Sequence, residues 1–334
     1  MKNFKVFGII LLLLAAILAG CTAQAAEEEG TVTLRLAHNQ GTTHPIHTSL
    51  TEFARLVEEK TDGSMKVKIY PSGQLGGERE ALELTQTGAI DFAKVSAGSL
   101  ENFSEVYSLF SLPYLFDDKD HFYKAMNSST AKEIYKTTTD IGLRGLTFYE
   151  SGTRNFYTKN KPIMHPDDLK GLKIRVQPSP TNLKMLELMG GSPTPMSFGE
   201  VYTAMQQGVI DGSENNETAL TDNNHGEVAK QYSYSEHAII PDILIVNESK
   251  WKQMTADQKK AIAEAAEESS FYHKEVWRKA TEKAIKDAKD MNVTFSRPDK
   301  EPFMEAVQPL HKEFAEKKST GKYYKEIRDM AEGS

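Results

Sequence analysis

One cysteine, Cys21, is the whole thiol stock of this 334-residue chain. An intrachain disulfide is therefore excluded, and a cysteine-based metal or redox centre has no ligand set. A cationic surplus is also missing, since 40 Lys and Arg stand against 47 Asp and Glu. Nucleic-acid binders carry the opposite balance, so no nucleic-acid partner is expected. Catalytic signatures are absent where they would be plain. Residues 94–98 read Lys-Val-Ser-Ala-Gly and lack the first glycine of a nucleophile elbow. Phosphate loops, dinucleotide fingerprints and paired-histidine zinc helices do not occur. His44 and His47 flank Pro45 where a helix begins, which reads as a surface pair rather than a metal site. Glu78 and Glu80 lie two apart on a helical pattern and point to different sides, so they are not a catalytic carboxylate pair. The expectation is a protein with no reaction centre, metal or cofactor.

What is present begins at the amino terminus. Lys2 and Lys5 precede an unbroken apolar run, Val6 to Ala19, of 14 residues. A membrane-spanning helix needs about 20, so the run reads as the core of a signal peptide, residues 1–20. It ends in Leu18-Ala19-Gly20-Cys21, which resembles the bacterial lipobox, whose cysteine is lipidated after cleavage. Residues 21–30 are small and acidic without periodicity, as in a tether. The chain is thus expected to be exported and anchored to the membrane through lipid on Cys21. With Lys2 and Lys5 removed, 38 basic residues remain against 47 acidic, a net charge of −9.

The remaining 300 or so residues exceed what one core usually serves, which favours two domains. Val32, Leu34 and Leu36 alternate with polar residues as in a strand, and residues 38–45 are turn-rich. A helix is expected over 46–59, a strand over 65–70, a helix over 78–87 and a strand over 90–95. Alternation of strand and helix is the pattern of a mainly parallel α/β sheet. Ligands bind such sheets at the loops leaving the carboxyl ends of the strands, which places 38–44, 73–78 and 96–99 at one rim. The pattern resumes with a strand over 143–149, a Gly152-Thr153-Arg154 turn, a strand over 172–176, helices over 182–189 and 198–207, and strands over 209–211 and 243–246. Thr255 and Gln258 form a capping box that opens a helix running to about Met291. At 1.5 Å per residue it would be roughly 54 Å long, enough to lie across two domains.

Within the strand over 172–176, Leu172, Ile174 and Val176 point one way and Arg175 the other. Residues 177–180, Gln-Pro-Ser-Pro, stop the strand and leave Arg175 near its carboxyl end. A guanidinium there can grip a carboxylate through two parallel hydrogen bonds. An exposed arginine on a sheet edge fits the same residues, and Arg154 is open to both readings.

Longer motifs are more specific. Leu172-Lys-Ile-Arg-Val-Gln177 is followed by Gly191-Ser-Pro-Thr-Pro-Met-Ser-Phe-Gly-Glu-Val-Tyr202 and Ala204-Met-Gln-Gln-Gly-Val-Ile-Asp-Gly-Ser-Glu-Asn215. Together with Tyr70-Pro-Ser-Gly-Gln-Leu-Gly76 and Phe110-Ser-Leu-Pro-Tyr114, these segments resemble the extracytoplasmic binding proteins of TRAP transporters, the DctP family. The likeness runs in order from about Leu34 into the long carboxyl-terminal helix. It implies an α/β fold of the two-domain periplasmic-binding-protein kind, with hinge strands and a long domain-spanning helix. The boundaries would be 31–151 plus 241–280 for the first domain and 152–240 plus 281–330 for the second. It also implies capture of a small organic acid for TRAP membrane subunits; a ligand-sensing subunit would share the same pocket.

By the same resemblance, Arg175 holds the place of the family arginine that pairs with the ligand carboxylate. Arg154 falls on a second family arginine, Asn215 on the asparagine after the Asp-Gly pair, and Phe198 on the aromatic residue. In the first domain, Asn39 and Glu78 match residues used by sialic-acid binders. Ser96 stands where those proteins carry a glutamate, which points to a smaller ligand. Gln177, Glu150 and Asn216 add polar groups that suit a ligand with several hydroxyls. Arg-Val-Gln and Glu-Asn-Asn also resemble family members that bind glucuronate and galacturonate, so a hexuronate is expected ahead of a C4-dicarboxylate.

Overall fold

The computed structural model describes residues 30–331. The signal peptide, Cys21 and nearly all of the tether lie outside the described residues.

Two sheets form the framework. In the first, β1 (Val32–Ala37), β2 (Met65–Tyr70) and β3 (Phe92–Ser96) are joined through helices Pro45–Lys60 and Glu78–Thr87. These strands run parallel, because each crossover helix returns the chain to the same end of the sheet. β4 (Leu143–Tyr149) follows, and the chain then leaves for the second sheet. There β5 (Thr153–Thr158), β6 (Lys173–Val176), β7 (Ser192–Pro195), β8 (Gly212–Asn215) and β9 (Gln231–Ile239) are built in turn. β10 (Asp242–Asn247) returns to the first sheet and β11 (Thr294–Ser296) closes the second. The strand orders are β2-β1-β3-β10-β4 and β11-β9-β5-β8-β6-β7.

The expected elements are there, with three differences. The strand placed at 209–211 begins instead at Gly212. Val209 is half exposed, and Gly212 alone lets β8 approach β5, because a Cβ there would overlap Tyr157 O. The helix expected over 198–207 is split into a short 3-10 turn, Phe198–Glu200, and the helix Val201–Gln206. Thr153 and Arg154 open β5 rather than lying in a turn.

Three segments join the sheets. Residues 150–152 connect β4 to β5, and Ile240-Pro241 connects β9 to β10. Gly152 has φ +69°, and a Cβ on it would stand 2.7 Å from Asn216 Cβ and 3.0 Å from Trp277 Cζ2, so this crossing demands glycine. The third join is the helix Ala256–Asp290, opened by the Thr255–Gln258 capping box. Its Ile262, Ala265 and Ala266 pack with Leu34, Phe53 and Leu244 of the first sheet's core. At its other end Ala288 packs with Tyr157, Met205 and Tyr232 of the second. One continuous helix therefore braces both cores, as its length requires. A third apolar cluster runs through both lobes, combining Leu82, Val95 and Phe110 with Val176, Leu186 and Phe303. The carboxyl-terminal helices from Glu301 to Asp329 cover it, with His311 Nε2 at 2.8 Å from Pro113 O and Arg328 donating to Leu115 O at 2.8 Å. Among the described residues no helix is long and apolar enough to cross a membrane.

Candidate ligand-binding cleft

The carboxyl ends of the parallel strands in both sheets face each other across a cleft with a cavity of about 620 Å³. Loops after β1, β2 and β3 line one wall, and loops after β6, β7 and β8 the other. Of the ten residues singled out in the sequence, Asn39, Glu78, Ser96, Arg154, Arg175, Gln177, Phe198, Asn215 and Asn216 lie on this lining. Glu150 does not. Its carboxylate accepts from Tyr123 Oη and pairs with Lys119 Nζ at 2.7 Å, while its carbonyl lies 2.8 Å from His273 Nε2. The residue lies between β4 and β5 and fastens the crossing to the long helix.

Arg175 is 2 % exposed, so the reading of an arginine on an exposed sheet edge is excluded. β6 sits between β7 and β8, one strand in from the sheet edge. Nε and Nη2 donate to Met196 O at 3.1 and 2.9 Å, and Phe198 lies against the guanidinium, its ring centroid 5.6 Å from Cζ. The buried Nη1 has no hydrogen-bond partner among the described residues. Burial pulls the Arg175 pKa below its ordinary value, with the neighbouring Arg154 charge adding to that and Glu214 opposing it. A guanidinium stays charged at neutral pH regardless.

Arg154 lies next to it with its charge already answered. Nε and Nη2 form a two-bond pair with the Glu214 carboxylate, and Nη1 donates to Asn215 Oδ1 at 3.2 Å. Burial alone would lower the Arg154 pKa, but the Glu214 charge carries it upward. Asn215 Oδ1 also accepts from Asn216 N at 2.9 Å, which leaves Asn215 Nδ2 for a ligand acceptor. Asn216 is held on all sides: Nδ2 donates to Ser151 O at 2.7 Å and Oδ1 accepts from Thr218 N at 2.9 Å. It ties the Gly152 crossing to the start of helix Thr218–Asp222.

On the facing wall, Glu78 Oε1 accepts from Asn39 Nδ2 at 3.2 Å and from Ser96 N at 3.1 Å, and Oε2 accepts from Ser99 Oγ at 2.6 Å. Lys94 Nζ donates to Asp242 Oδ2 at 3.0 Å and Asn39 Oδ1 at 3.2 Å, and stands 3.7 Å from Glu78 Oε1. Gln177 reaches across, Nε2 donating to Ser96 Oγ at 3.0 Å. His44 is buried, which corrects its reading as a surface residue. It caps helix Pro45–Lys60 through Nδ1, and Nε2 lies 3.3 Å from Thr218 Oγ1 in the other lobe. Burial first, then Lys94, His273 and His38, hold its pKa well below the imidazole range, so it is neutral.

Sequence reasoning missed Lys94, Asp242, Glu214 and Ser99. Lys94 carried a signal, being a charged residue in the middle of a strand whose other members are apolar or small. A lysine there must find acceptors, and Asp242 opens the adjacent strand.

Residues 36–318 match the family of bacterial extracellular solute-binding proteins, family 7, DctP. The chain is 45% identical over 284 residues to an uncharacterized protein, YiiZ, of Salmonella typhimurium, covering 84% of this chain and 86% of that one. It is 42% identical to a TRAP periplasmic solute-binding protein from Anaerococcus prevotii solved with bound D-glucuronate, with a TM-score of 0.89 over 90% of this chain and 99% of that one. A third relative, from Xanthobacter autotrophicus with bound β-D-galacturonate, is 33% identical with a TM-score of 0.86 over 89% of this chain and 99% of that one.

Proposed function

This chain belongs to the DctP family of TRAP-transporter solute-binding proteins, and from that premise we propose that it captures a hexuronate, glucuronate or galacturonate, outside the cell for its TRAP membrane subunits. The observation that carries the proposal is Arg175. Of the three buried cations on the cleft walls, Arg154 and Lys94 have carboxylate partners, and Arg175 has only a backbone carbonyl and an unpartnered Nη1. A ligand carboxylate completes it.

Capture proceeds by closure. The carboxylate meets Nη1 of Arg175 with Phe198 beside it, and Asn215 Nδ2 donates to a ligand oxygen. Hydroxyls at the other end reach Asn39, Glu78 and Ser96. Only the closed state lets one small molecule touch both walls, so binding energy shifts the equilibrium toward closure. Gln177 and Asn216 hold the walls in register, and Arg154 orients Asn215. The moving bodies are 31–151 plus 241–280 and 152–240 plus 281–330; each sheet falls wholly within one of them.

Export and anchoring through Cys21 rest on the lipobox-like segment. The protein should partition with membranes, and Cys21→Ser should release it to the soluble fraction; unchanged partitioning would refute the anchor.

Titration calorimetry with D-glucuronate and D-galacturonate tests the ligand, and mass spectrometry of the released ligand tests for chemistry. One-to-one binding of an unaltered uronate is expected. Absence of heat with both sugars, or a converted product, would overturn the proposal.

A further inference from the structure

Buried ionisable side chains on and directly behind the cleft walls form two groups of opposite net charge. On the second lobe, Arg154, Glu214 and Arg175 sum to one positive charge, because a single carboxylate, ion-paired with Arg154, stands against two guanidinium groups. On the first lobe, Lys94, Glu78 and Asp242 sum to one negative charge, because a single lysine serves two carboxylates. The two groups sense each other, as Glu78 acts electrostatically on Arg175 across the gap. Arg79 and Glu80 also line the cavity near its mouth, where Arg79 is exposed and pairs with Glu83.

The charged donor of the first lobe faces that lobe's own acceptors. Lys94 donates to Asp242 and Asn39 and stands at ion-pair distance, 3.7 Å, from Glu78. Asn39 Nδ2 and Ser99 Oγ donate to Glu78. What this wall has to offer a ligand is therefore acceptor oxygen with excess negative charge. A sugar hydroxyl can donate to it, and an ionised carboxylate can only accept.

From this asymmetry we infer that the cleft selects acids with one carboxylate, and that Glu78 and Asp242 reject a second carboxylate at the far end of the ligand. This rests on the hexuronate reading and deepens it. Aldaric acids, which carry a carboxylate at C1 in place of the uronic acid's aldehyde and so stay open-chain, are excluded along with C4-dicarboxylates. Arg175 is satisfied by the first carboxylate, and no buried cation on the opposite wall is left without a carboxylate partner for the second.

The test is calorimetric competition on the full-length protein with two matched pairs, D-glucuronate against D-glucarate and D-galacturonate against galactarate, plus succinate. A carboxylate placed against a like-charged wall is repelled, so each aldarate should bind at least about 100-fold more weakly than its uronate. Glu78→Gln should shrink that ratio by about tenfold or more by removing one like charge. Asp242→Asn should act in the same direction, so the test survives if either variant fails to fold. An aldarate that binds wild-type protein as tightly as its uronate overturns the inference and leaves the hexuronate reading standing. Tight binding of succinate with no binding of either uronate overturns both. Unchanged ratios in folded Glu78→Gln and Asp242→Asn remove these two residues as the cause and overturn the inference as stated.

Discussion

Gln177 Nε2 donates to Ser96 Oγ at 3.0 Å and so links the end of β6 to the end of β3 across the cleft. The approach is close enough that any side chain at Gly98, just beyond Ser96, would push the Gln177 amide aside. A Cβ on Gly98 would overlap Gln177 Oε1 and stand 3.4 Å from its Cδ.

Gly98→Ala should therefore displace the Gln177 amide and loosen the closed state without disturbing either core. Loss of one neutral hydrogen bond predicts about 1 kcal/mol, or roughly fivefold weaker ligand binding. Gln177→Ala should match it. The measurement is Kd by calorimetry with thermal melting as a control, and wild-type affinity in both variants would count against a closing role for this bridge.

Arg175 is predicted to dominate affinity. Each charge-assisted hydrogen bond contributes about 1.5–3 kcal/mol, so Arg175→Ala should weaken uronate binding by at least about 2 kcal/mol. Arg175→Lys should recover little, since an ammonium cannot reproduce the planar fork that holds Met196 O and the ligand together. A titration of the lysine variant giving wild-type affinity would contradict this account.

Arg154 and Glu214 should behave differently from Arg175. Both are buried and paired, so Glu214→Gln strands a charge and should lower stability by about 3–5 kcal/mol. Urea unfolding would show a lower midpoint. Burial tends to raise the Glu214 pKa, but Arg154 and His237 overcome that and hold it below the ordinary carboxylate value. Stability from this group is thus present above the unfolded carboxylate pKa and lost as pH falls through the lowered folded value.

Buried histidines set an earlier limit. Burial is the main cause that brings His38 and His225 down to about 3 and His273 to about 4. In each the neutral ring is the folded form. Unfolded chains take up protons near pH 6.5, so stability is full above that value and falls between about 6.5 and these lowered pKa values. Each such histidine should contribute a slope of about 1.4 kcal/mol per pH unit in that window. Unfolding free energies measured from pH 7.5 to 4.5 should stay level down to about pH 6.5 and decline below it, and a flat profile throughout would refute the assignment.

Much of the scaffold could be read from periodicity. Strand β1 shows its alternation in Val32, Leu34 and Leu36, and the long helix declares its start in Thr255 and Gln258. Motif order was enough to group Arg175, Phe198 and Asn215, and all three line the one cleft. Glu150 was misplaced because its nearness in sequence to Arg154 says nothing about which side of the crossing it faces. Lys94 was passed over because a lone lysine in a short strand has no pattern to announce it.

The local order of apolar and polar residues, together with turn and cap chemistry, was enough to determine the elements, their αβ alternation and the family. Those are short-range properties, written within a few residues of where they act. Which arginine is free to take a ligand was decided only in three dimensions. Arg154 and Arg175 are alike in sequence, and the difference between them is Glu214, which lies 60 residues from Arg154 and reaches it only when β5 and β8 pair. Charge neutralisation acts through space and depends on burial, so the folded sheet had to form before one guanidinium was answered and the other left open.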